Sequence, residues 1–391
     1  MKDFTFHAPT EVAFGKESEA RIPDLIRKYG GNKVLIHYGG GSAVQSGLID
    51  EIKQYLAEGG IDYVGLGGVV PNPLLSKVRE GIELCKEEGI DFILAVGGGS
   101  VIDSAKAIGY GVCYDGDVWD FYDGKASPKA SLPVGAVLTI AAAGSEMSDS
   151  SVITKDEGHL KRGCNSDVCR CRFAVMNPER TKTLPAWQTA AGITDIIMHT
   201  LERYFSHETM TLTDSVAEAL LRTTMECGER LMAHPEDYGL RAQIMWASSL
   251  SHNGLTGCGA VADFATHKIG HELSALFGST HGATLSVIWP AWAEYVLAEG
   301  PGRFAQLATN VLGITPEATA ADTAKAGIAA MRSFFTRIGM PTTISSLIGR
   351  PATPGEIDTM ARKCTLSGAF HPGNFKRLSL QDVINIYNAA N

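Results

Sequence analysis

Four histidines and one aspartate in the second half of the chain have the spacing of metal ligands. Asp195 and His199 are four residues apart, as are His267 and His271, and His281 follows ten residues later. Side chains four residues apart on a helix share a face. One carboxylate and three imidazoles suit a catalytic zinc or ferrous ion with an open coordination position. One histidine pair alone is often structural, but two ligand-like pairs and a further histidine beside a glycine favour a metal site.

Two glycine-rich turns in the first half follow predicted strands. Gly97-Gly98-Gly99-Ser100 comes after the run FILAV and precedes a helical stretch that contains Asp103. The backbone N–H groups of such a turn can bind a pyrophosphate, helped by the positive end of the helix dipole. The turn lacks the GxGxxG dinucleotide pattern, so on its own it is equally compatible with a plain strand–helix turn.

The other turn bears on which dinucleotide would bind. Gly39-Gly40-Gly41-Ser42 follows the predicted strand KVLIHY. Dinucleotide folds often carry an acidic residue at this position, which binds the ribose 2′-OH and repels a 2′-phosphate. Because glycines and a serine stand there instead, we predict that NADPH is accepted. The alternative is again a turn without a ligand.

Three cysteines near the middle of the chain raise the question of whether there is a second metal site. Cys164, Cys169 and Cys171 follow His159, but the usual pair of C-x₂₋₄-C knuckles is missing. We therefore expect reduced, partly exposed thiols there and no metal. Eight cysteines in 391 residues also suit a reduced cytoplasmic protein.

The other histidines that we considered lack a partner at ligand spacing, and we assign them no chemistry. They are His37, His159, His207, His234, His252 and His371.

The elements that must position these residues differ between the two halves. Up to about residue 185, short β-rich runs alternate with helical stretches, which predicts a parallel sheet with helices on both faces. Beyond that point the apolar residues follow a period of 3.6, and no strand series is visible. The sequence predicts an α/β NAD(P)-binding domain over 1–185 and an all-helical metal-binding and catalytic domain over 186–391.

Composition excludes other functional classes. The formal net charge is 34 − 43 = −9, which argues against a nucleic-acid partner because phosphate binding needs a basic face. The first ten residues carry no apolar core, and no run approaches the roughly 20 apolar residues of a membrane helix. We expect a cytoplasmic protein that binds neither nucleic acid nor membrane.

The motifs in combination point to one family. AVGGGSVIDSAKAI matches a GGGSxxDxxK signature, LTIAAAGSEMS a TxxxTGSE loop, GITDIIMHTLERY a DxxxHxxE helix, and DFATHKIGHELSALFGSTHG an HxxxH…HG block. PNP at 71–73 and MNPERTKTLP fall in the same order. The chain resembles the iron-containing (group III) alcohol dehydrogenases nearly end to end, and most closely their butanol dehydrogenase and broad-range aldehyde reductase branch.

The resemblance implies a role for each matched residue. Asp195, His199, His267 and His281 match the metal ligands, whereas His271 matches a histidine near the nicotinamide and substrate and would be the catalytic proton relay. With both glycine turns included, the expected cofactor contacts are Gly39, Gly40, Ser42, Asn72, Gly98, Gly99, Ser100, Asp103, Thr139, Ser145 and Lys161.

The family resemblance also implies a fold and a reaction. The expected fold is the dehydroquinate synthase-like fold of the group III enzymes, in a homodimer. The expected reaction interconverts a small aldehyde and its primary alcohol with NADH or NADPH and Fe²⁺ or Zn²⁺. Ala143 replaces a threonine of the TGSE loop, and the cysteine-rich segment is also unusual; both leave the substrate open.

Three alternatives remain. One is a reductase of an anionic aldehyde, such as a sulfonate or phosphonate, for which Lys161 and Arg162 supply positive charge. Another is a polyol dehydrogenase of the glycerol type or a dehydroquinate-synthase-like enzyme, against which the spacing of the four ligands argues. The last is an inactive binding protein, which the intact ligand set disfavours.

Overall fold

The computed structural model describes residues 1–391, which form two compact units. One unit is His7–Thr183, and the other combines Leu184–Asn391 with Met1–Phe6. The first six residues, which we assigned to the N-terminal domain, therefore lie with the helical unit. There the backbone N–H of Lys2 donates to the carbonyl oxygen of Gly259 at 3.0 Å.

The unit His7–Thr183 contains eight strands: β1 Glu11–Phe14, β2 Lys33–Gly39, β3 Asp62–Val69, β4 Phe92–Gly97, β5 Val134–Leu138, β6 Ser150–Lys155, β7 Leu160–Asn165 and β8 Phe173–Met176. Six of them form a parallel sheet in the order β1-β8-β5-β4-β2-β3. The other two, β6 and β7, form a separate antiparallel pair. The helices are α1 Ile22–Lys28, α2 Ser42–Gln45, α3 Leu48–Glu58, α4 Leu75–Glu88, α5 Gly99–Val112 and α6 Trp119–Tyr122.

The central strands follow from their apolar sequences. Every residue of β4 is buried, as expected for a parallel strand covered on both faces. The rings of Phe92 and Phe173 stack at 5.7 Å across the core beneath the sheet. The predicted parallel sheet is confirmed. The β6–β7 pair was not predicted, because its sequences, SSVITK and LKRGCN, are mostly polar.

The second unit is helical, and the last strand of the chain ends at Met176. None of its helices, or of those in the first unit, is both long and apolar enough to cross a membrane. The helices are α7 Ala186–Tyr204, α8 Thr211–Ala233, α9 Tyr238–His252, α10 Ala265–Phe277, α11 His281–Val296, α12 Pro301–Asn310, α13 Ala320–Arg337, α14 Ile344–Ile348, α15 Pro354–Cys364 and α16 Leu380–Ala390.

The 3.6-residue apolar period expected of the helices in this unit is absent from α11, for a physical reason. This helix is buried over nearly its whole length and contains Pro290. A helix that is apolar all round shows no amphipathic period. The absence of this period matters because α11 begins at His281, one of the predicted ligands.

Candidate functional site

The predicted metal ligands meet in the helical unit. Asp195, His267 and His281 bring ligand atoms within 4.8 Å of one another. Nε2 of His267 and Nε2 of His281 each lie 3.7 Å from Oδ1 of Asp195. Ligand atoms bound at about 2.1 Å to a tetrahedral ion are about 3.4 Å apart. Small movements of the side chains would therefore bring all three to a common ion.

His199 approaches the same carboxylate. Its Nδ1 lies 3.5 Å from Oδ1 of Asp195, and its ring centre is 4.5 Å from that of His267. It does not belong to the group whose ligand atoms all lie within 4.8 Å of one another. The structure thus gathers three of the four predicted ligands and places the fourth against their shared aspartate. We call these four residues the histidine cluster.

The local fold explains why these side chains converge. α7 carries Asp195 and His199 one turn apart, and α10 carries His267. α11 starts against α7 because residue 282 is glycine: a β-carbon there would overlap the carbonyl oxygen of Ala191. This close approach places His281, the first residue of α11, beside Asp195.

Buried atoms without hydrogen-bond partners test whether a metal fits. Oδ1 of Asp195, Nδ1 of His199 and Nε2 of His267 are buried and have none. Each buried polar group left unsatisfied costs about 1–3 kcal/mol, and one divalent cation would satisfy all three. A carboxylate and imidazoles are donors that zinc and ferrous ions accept. The residues present therefore fit such an ion.

The electrostatics of the cluster also favour a cation. Burial lowers the pKa of His199 well below its ordinary value, which keeps the imidazole neutral as a metal ligand must be. Burial acts in the same direction on His267, but the neighbouring carboxylates of Asp195 and Glu202 outweigh it and raise the pKa of His267. The two carboxylates that favour a proton there would equally favour a metal ion.

One side of the cluster is open. The side chain of His281 is 26% exposed, against 5% for those of Asp195, His199 and His267. A catalytic metal site keeps one coordination position open for substrate or water. The exposed side of His281 is where this cluster can offer one.

The two glycine turns lie side by side in the other unit. β2 and β4 are neighbouring parallel strands, so their carboxyl ends reach the same edge of the sheet. α5 begins at Gly99, directly after β4. A β-carbon at Gly98 would overlap the side chain of Ile140, and one at Gly99 would lie 3.0 Å from Cβ of Ala143. Ligands of α/β sheets bind at this edge. Side chains larger than glycine at 98 and 99 would be crowded by Ile140 and Ala143.

Further predicted cofactor residues surround the start of α5. The backbone N–H of Thr139 donates to the carbonyl oxygen of Gly97 at 3.1 Å, and Oγ of Ser145 lies 3.3 Å from a β-carbon built at Gly99. Ser100 and Asp103 occupy the first turns of α5. The structure brings these residues to one turn.

Asp103 is a buried carboxylate in this region. Burial raises the pKa of Asp103 to about 6, although the charges of Lys106 and Lys161 and a hydrogen bond from Ser145 act to lower it. The backbone N–H of Val152 donates to Oδ2 of Asp103 at 3.0 Å. Because its charge lowers the pKa of Asp103, Lys161, which is buried on β7, lies close to that carboxylate.

The second turn meets the neighbouring strand β3. A β-carbon built at Gly39 would lie 3.4 Å from the carbonyl oxygen of Val69, and one at Gly40 would lie 3.8 Å from Cα of Gly68. Ser42 begins α2. Asn72 lies in the loop between β3 and α4 and has a left-handed backbone, with φ of 57°.

Both halves of the chain match the same family. The profile for iron-containing alcohol dehydrogenase matches residues 9–178, and that for the C-terminal part of the Fe-containing alcohol dehydrogenase family matches residues 189–391. The chain belongs to the iron-containing alcohol dehydrogenase family.

Relatives of this chain are named for different nicotinamide cofactors. A probable NADH-dependent butanol dehydrogenase of Bacillus subtilis is 40% identical over 392 residues, covering 100% of both chains. The NADPH-dependent aldehyde reductase YqhD of Escherichia coli is 34% identical over 394 residues, again covering 100% of both. The crystal structure of NADH-dependent butanol dehydrogenase A from Thermotoga maritima aligns with a TM-score of 0.96 at 36% identity, covering 100% of this chain and 99% of that one.

Glu202 is a site residue to which the sequence analysis gave no role. Its Oε1 lies 2.9 Å from Nδ1 of His267 and accepts the backbone N–H of His267, also at 2.9 Å. It also accepts a hydrogen bond from the hydroxyl of Thr266. A carboxylate of this kind fixes the tautomer and orientation of a metal-binding histidine. The signal was present, because Glu202 is the last residue of the DxxxHxxE pattern.

His252 is a second omission. We assigned it no chemistry, but its ring centre lies 4.0 Å from that of His199. It is the last residue of α9, 53 positions beyond His199, so only the packing of α9 on α7 brings the two rings together. No spacing rule along the chain would have found this pair.

His271 lies beside the cluster and outside the group of ligand atoms. Its ring centre is 5.1 Å from that of His281 and 6.4 Å from that of His267. An imidazole bound at about 2.1 Å has its ring centre about 3.2 Å from the ion, so two ligands reach about 6.4 Å only when they are opposite each other. The geometry favours a residue near the metal rather than on it.

The structure does not gather the three cysteines and His159 into one group of ligand atoms. Cys164, Cys169 and Cys171 are buried, which corrects our expectation of partly exposed thiols, and His159 is exposed. None of the three belongs to a group of ligand atoms that could hold a metal. All are free thiols.

Proposed function

We propose that this chain is a metal-dependent, NAD(P)H-linked alcohol dehydrogenase and aldehyde reductase that interconverts a small aldehyde and its primary alcohol. The observation that carries the proposal is the buried cluster in which Asp195, His199 and His267 direct unsatisfied polar atoms towards one another. Family membership and relatives named as butanol dehydrogenases and an aldehyde reductase support it.

The helical unit would supply the metal site. Asp195, His199, His267 and His281 would hold one Fe²⁺ or Zn²⁺ ion, with Glu202 fixing the ring of His267. A divalent ion in such a site acts as a Lewis acid towards a carbonyl or alkoxide oxygen. His271 would exchange the proton of the alcohol oxygen, since an imidazole titrates near neutral pH.

The α/β unit would supply the dinucleotide site. Gly98, Gly99 and Ser100 would present backbone N–H groups and the amino end of α5 to the pyrophosphate. Ser145, Thr139, Lys161, Asn72 and Asp103 would make further contacts, with Gly39, Gly40 and Ser42 near the adenosine ribose. A reduced nicotinamide carries the hydride.

Metal analysis and a cofactor-oxidation screen test the proposal together. We expect about one divalent ion per chain and oxidation of NADH or NADPH with short aldehydes. Chelation should abolish the activity, and added Zn²⁺ or Fe²⁺ should restore it. The His234→Ala variant, which changes an exposed histidine, should match the wild type. A folded, metal-supplemented protein that binds no ion and oxidises neither cofactor would contradict the proposal.

We further propose that the enzyme is a cytoplasmic homodimer. The family resemblance supports the dimer, and eight free cysteines suit a reducing compartment. Sedimentation equilibrium should give twice the chain mass of 41.6 kDa. A monomer at micromolar concentration would contradict the dimer.

A further inference from the structure

The carboxyl ends of β2 and β3 lie at the same edge of the sheet, and the turn that follows β2 contains no carboxylate. β2 ends at Gly39 and is followed by Gly40-Gly41-Ser42, and β3 runs parallel beside it. The backbones approach closely here, since a β-carbon built at Gly40 would lie 3.8 Å from Cα of Gly68. In dinucleotide folds the strand next to the pyrophosphate strand ends at the adenosine ribose. The neighbours of β4 are β2 and β5, and we take β2, which is followed by the glycine-rich turn, for that position.

One cation reaches this edge. Lys77 lies in the first turn of α4, and its Nζ is 3.8 Å from a β-carbon built at Gly68. Gly68 has a left-handed backbone with φ of 89° and carries no side chain that would separate the ammonium group from the turn. The charge of Lys77 also contributes to the low pKa of His37 on β2, which burial mainly lowers to about 4. Lys77 therefore acts on β2 as well as on β3.

We propose that Lys77 binds the 2′-phosphate of NADPH, with the glycine–serine turn of β2 leaving room for that phosphate. This inference rests on the proposed dinucleotide site. It adds a residue that favours NADPH, whereas the turn itself only lacks a residue that would exclude it. Lys77 would act as a point charge towards the phosphate, as lysines in phosphate sites do.

The present partner of Lys77 does not prevent this role. Its Nζ lies 2.6 Å from Oε2 of Glu80, three residues further along α4. The side chain of Glu80 is 54% exposed and that of Lys77 is 24% exposed. Exposed pairs of this type contribute little to stability. A phosphate dianion can therefore displace Glu80 at small cost, and the lysine stem stays beside Gly68.

Binding of nucleotide fragments tests the proposal without turnover. Adenosine 2′,5′-bisphosphate and 5′-AMP differ in the 2′-phosphate alone. We expect Lys77→Ala to weaken the binding of the bisphosphate about 10- to 100-fold, the range of a charge-assisted hydrogen bond, and that of 5′-AMP less than about threefold. Isothermal titration calorimetry measures both. The ratio of kcat/KM for NADPH to that for NADH should fall by a similar factor.

A matched variant controls for loss of a surface charge. Lys53→Ala removes an ammonium group that is also paired with a carboxylate three residues away, here Asp50 of α3. It should leave both fragments unchanged. Glu80→Gln, which frees Lys77, should strengthen the binding of the bisphosphate about two- to threefold.

The outcomes separate this inference from the proposed function. If the bisphosphate binds equally well to wild type and Lys77→Ala, Lys77 has no such role. If the wild type binds the bisphosphate no more tightly than 5′-AMP, the 2′-phosphate is not recognised, although the dinucleotide site stands. If neither fragment nor either dinucleotide binds, the proposed function fails along with the inference.

Discussion

Two regions of the chain resemble metal sites in sequence, and they differ in structure. The histidine cluster places oxygen and nitrogen atoms that have no hydrogen-bond partner 3.5–3.7 Å apart around Asp195. In the cysteine segment (Cys164, Cys169 and Cys171), by contrast, a buried thiol already has hydrogen-bond partners within the chain. The Sγ atom of Cys169 donates to the carbonyl oxygens of Asp149 and Ser166, at 3.3 and 3.1 Å.

The difference lies in what each region leaves for a ligand. Burial raises the pKa of Cys164 to about 11 and that of Cys171 to about 12, so both stay protonated at neutral pH. Metals bind the thiolate rather than the thiol. The histidine cluster instead combines a neutral imidazole with carboxylates that favour a cation. Residue type and spacing therefore identify a metal site only when the fold leaves donor atoms unsatisfied and facing one another.

Removal of a cluster histidine should give the largest effect. His267→Ala deletes an atom of the group around Asp195, and we expect the bound metal to fall from about one ion per chain to near zero. Activity should fall at least about 10³-fold, since several kcal/mol of charge stabilisation are lost. Elemental analysis and kcat measure the two effects, with exposed His234→Ala as the control. A variant that retains one ion and normal turnover would remove His267 from the ligand set.

His271→Ala should lower activity while leaving the metal in place. The remaining cluster still holds the ion, so elemental analysis should give the wild-type stoichiometry. If His271 is a general acid–base, kcat should fall about 10²–10⁴-fold. Its ring is 6.4 Å from His267, one turn away on α10, which makes the two variants a direct contrast. Loss of metal in His271→Ala, with retention in His267→Ala, would reverse the two assignments.

Glu202→Gln should have a smaller effect on the same cluster. The amide keeps the size of the side chain but weakens the hydrogen bond to Nδ1 of His267 because it carries no charge. Loss of such a supporting carboxylate typically weakens metal binding about 10- to 100-fold, which competition with a chelator measures. Glu218→Gln is a matched control, because Glu218 is also buried and accepts a hydrogen bond from Tyr204. Equal zinc affinities for Glu202→Gln and wild type would show that Glu202 has no such role.

The sequence predicted much of the fold and of the cluster because both depend on local periodicity. Asp195 and His199, and His267 and His271, each lie on one helix, so a period of 3.6 places each pair on one face. The strands FILAV and KVLIHY were equally clear because a buried parallel strand is a continuous apolar run.

The remaining features depend on contacts between separate elements. His252 reaches His199 only through the packing of α9 on α7. Lys77 reaches the end of β3 only after α4 folds back along it. The antiparallel β6–β7 pair has no apolar alternation that would reveal it. Periodicity describes one element at a time and carries no information about such contacts.

The cysteine segment should show the smallest effect on the metal. We expect Cys164→Ala, Cys169→Ala and Cys171→Ala, combined in one chain, to bind as much metal as the wild type, because none of these sulfurs belongs to a group of three or more ligand atoms that could hold an ion. The cost should be confined to stability, at about 1 kcal/mol for each buried substitution. Cys113→Ala, at an exposed position, is the control.

The reactivity of these thiols provides a second test of the same prediction. In the native protein at pH 7.5, iodoacetamide should modify Cys113 quickly, whereas Cys164, Cys169 and Cys171 should react only after unfolding, because they are buried and protonated. Their pKa values are higher in the folded chain than the ordinary value of 9.0. The stabilisation that comes from keeping these thiols protonated is complete below about pH 9. It should therefore be lost as the pH rises through their pKa values in the folded chain. The triple variant should lose less stability than the wild type over that range. Rapid labelling of the three cysteines, or loss of metal from the triple variant, would show that this segment is a site after all and would end the contrast with the histidine cluster.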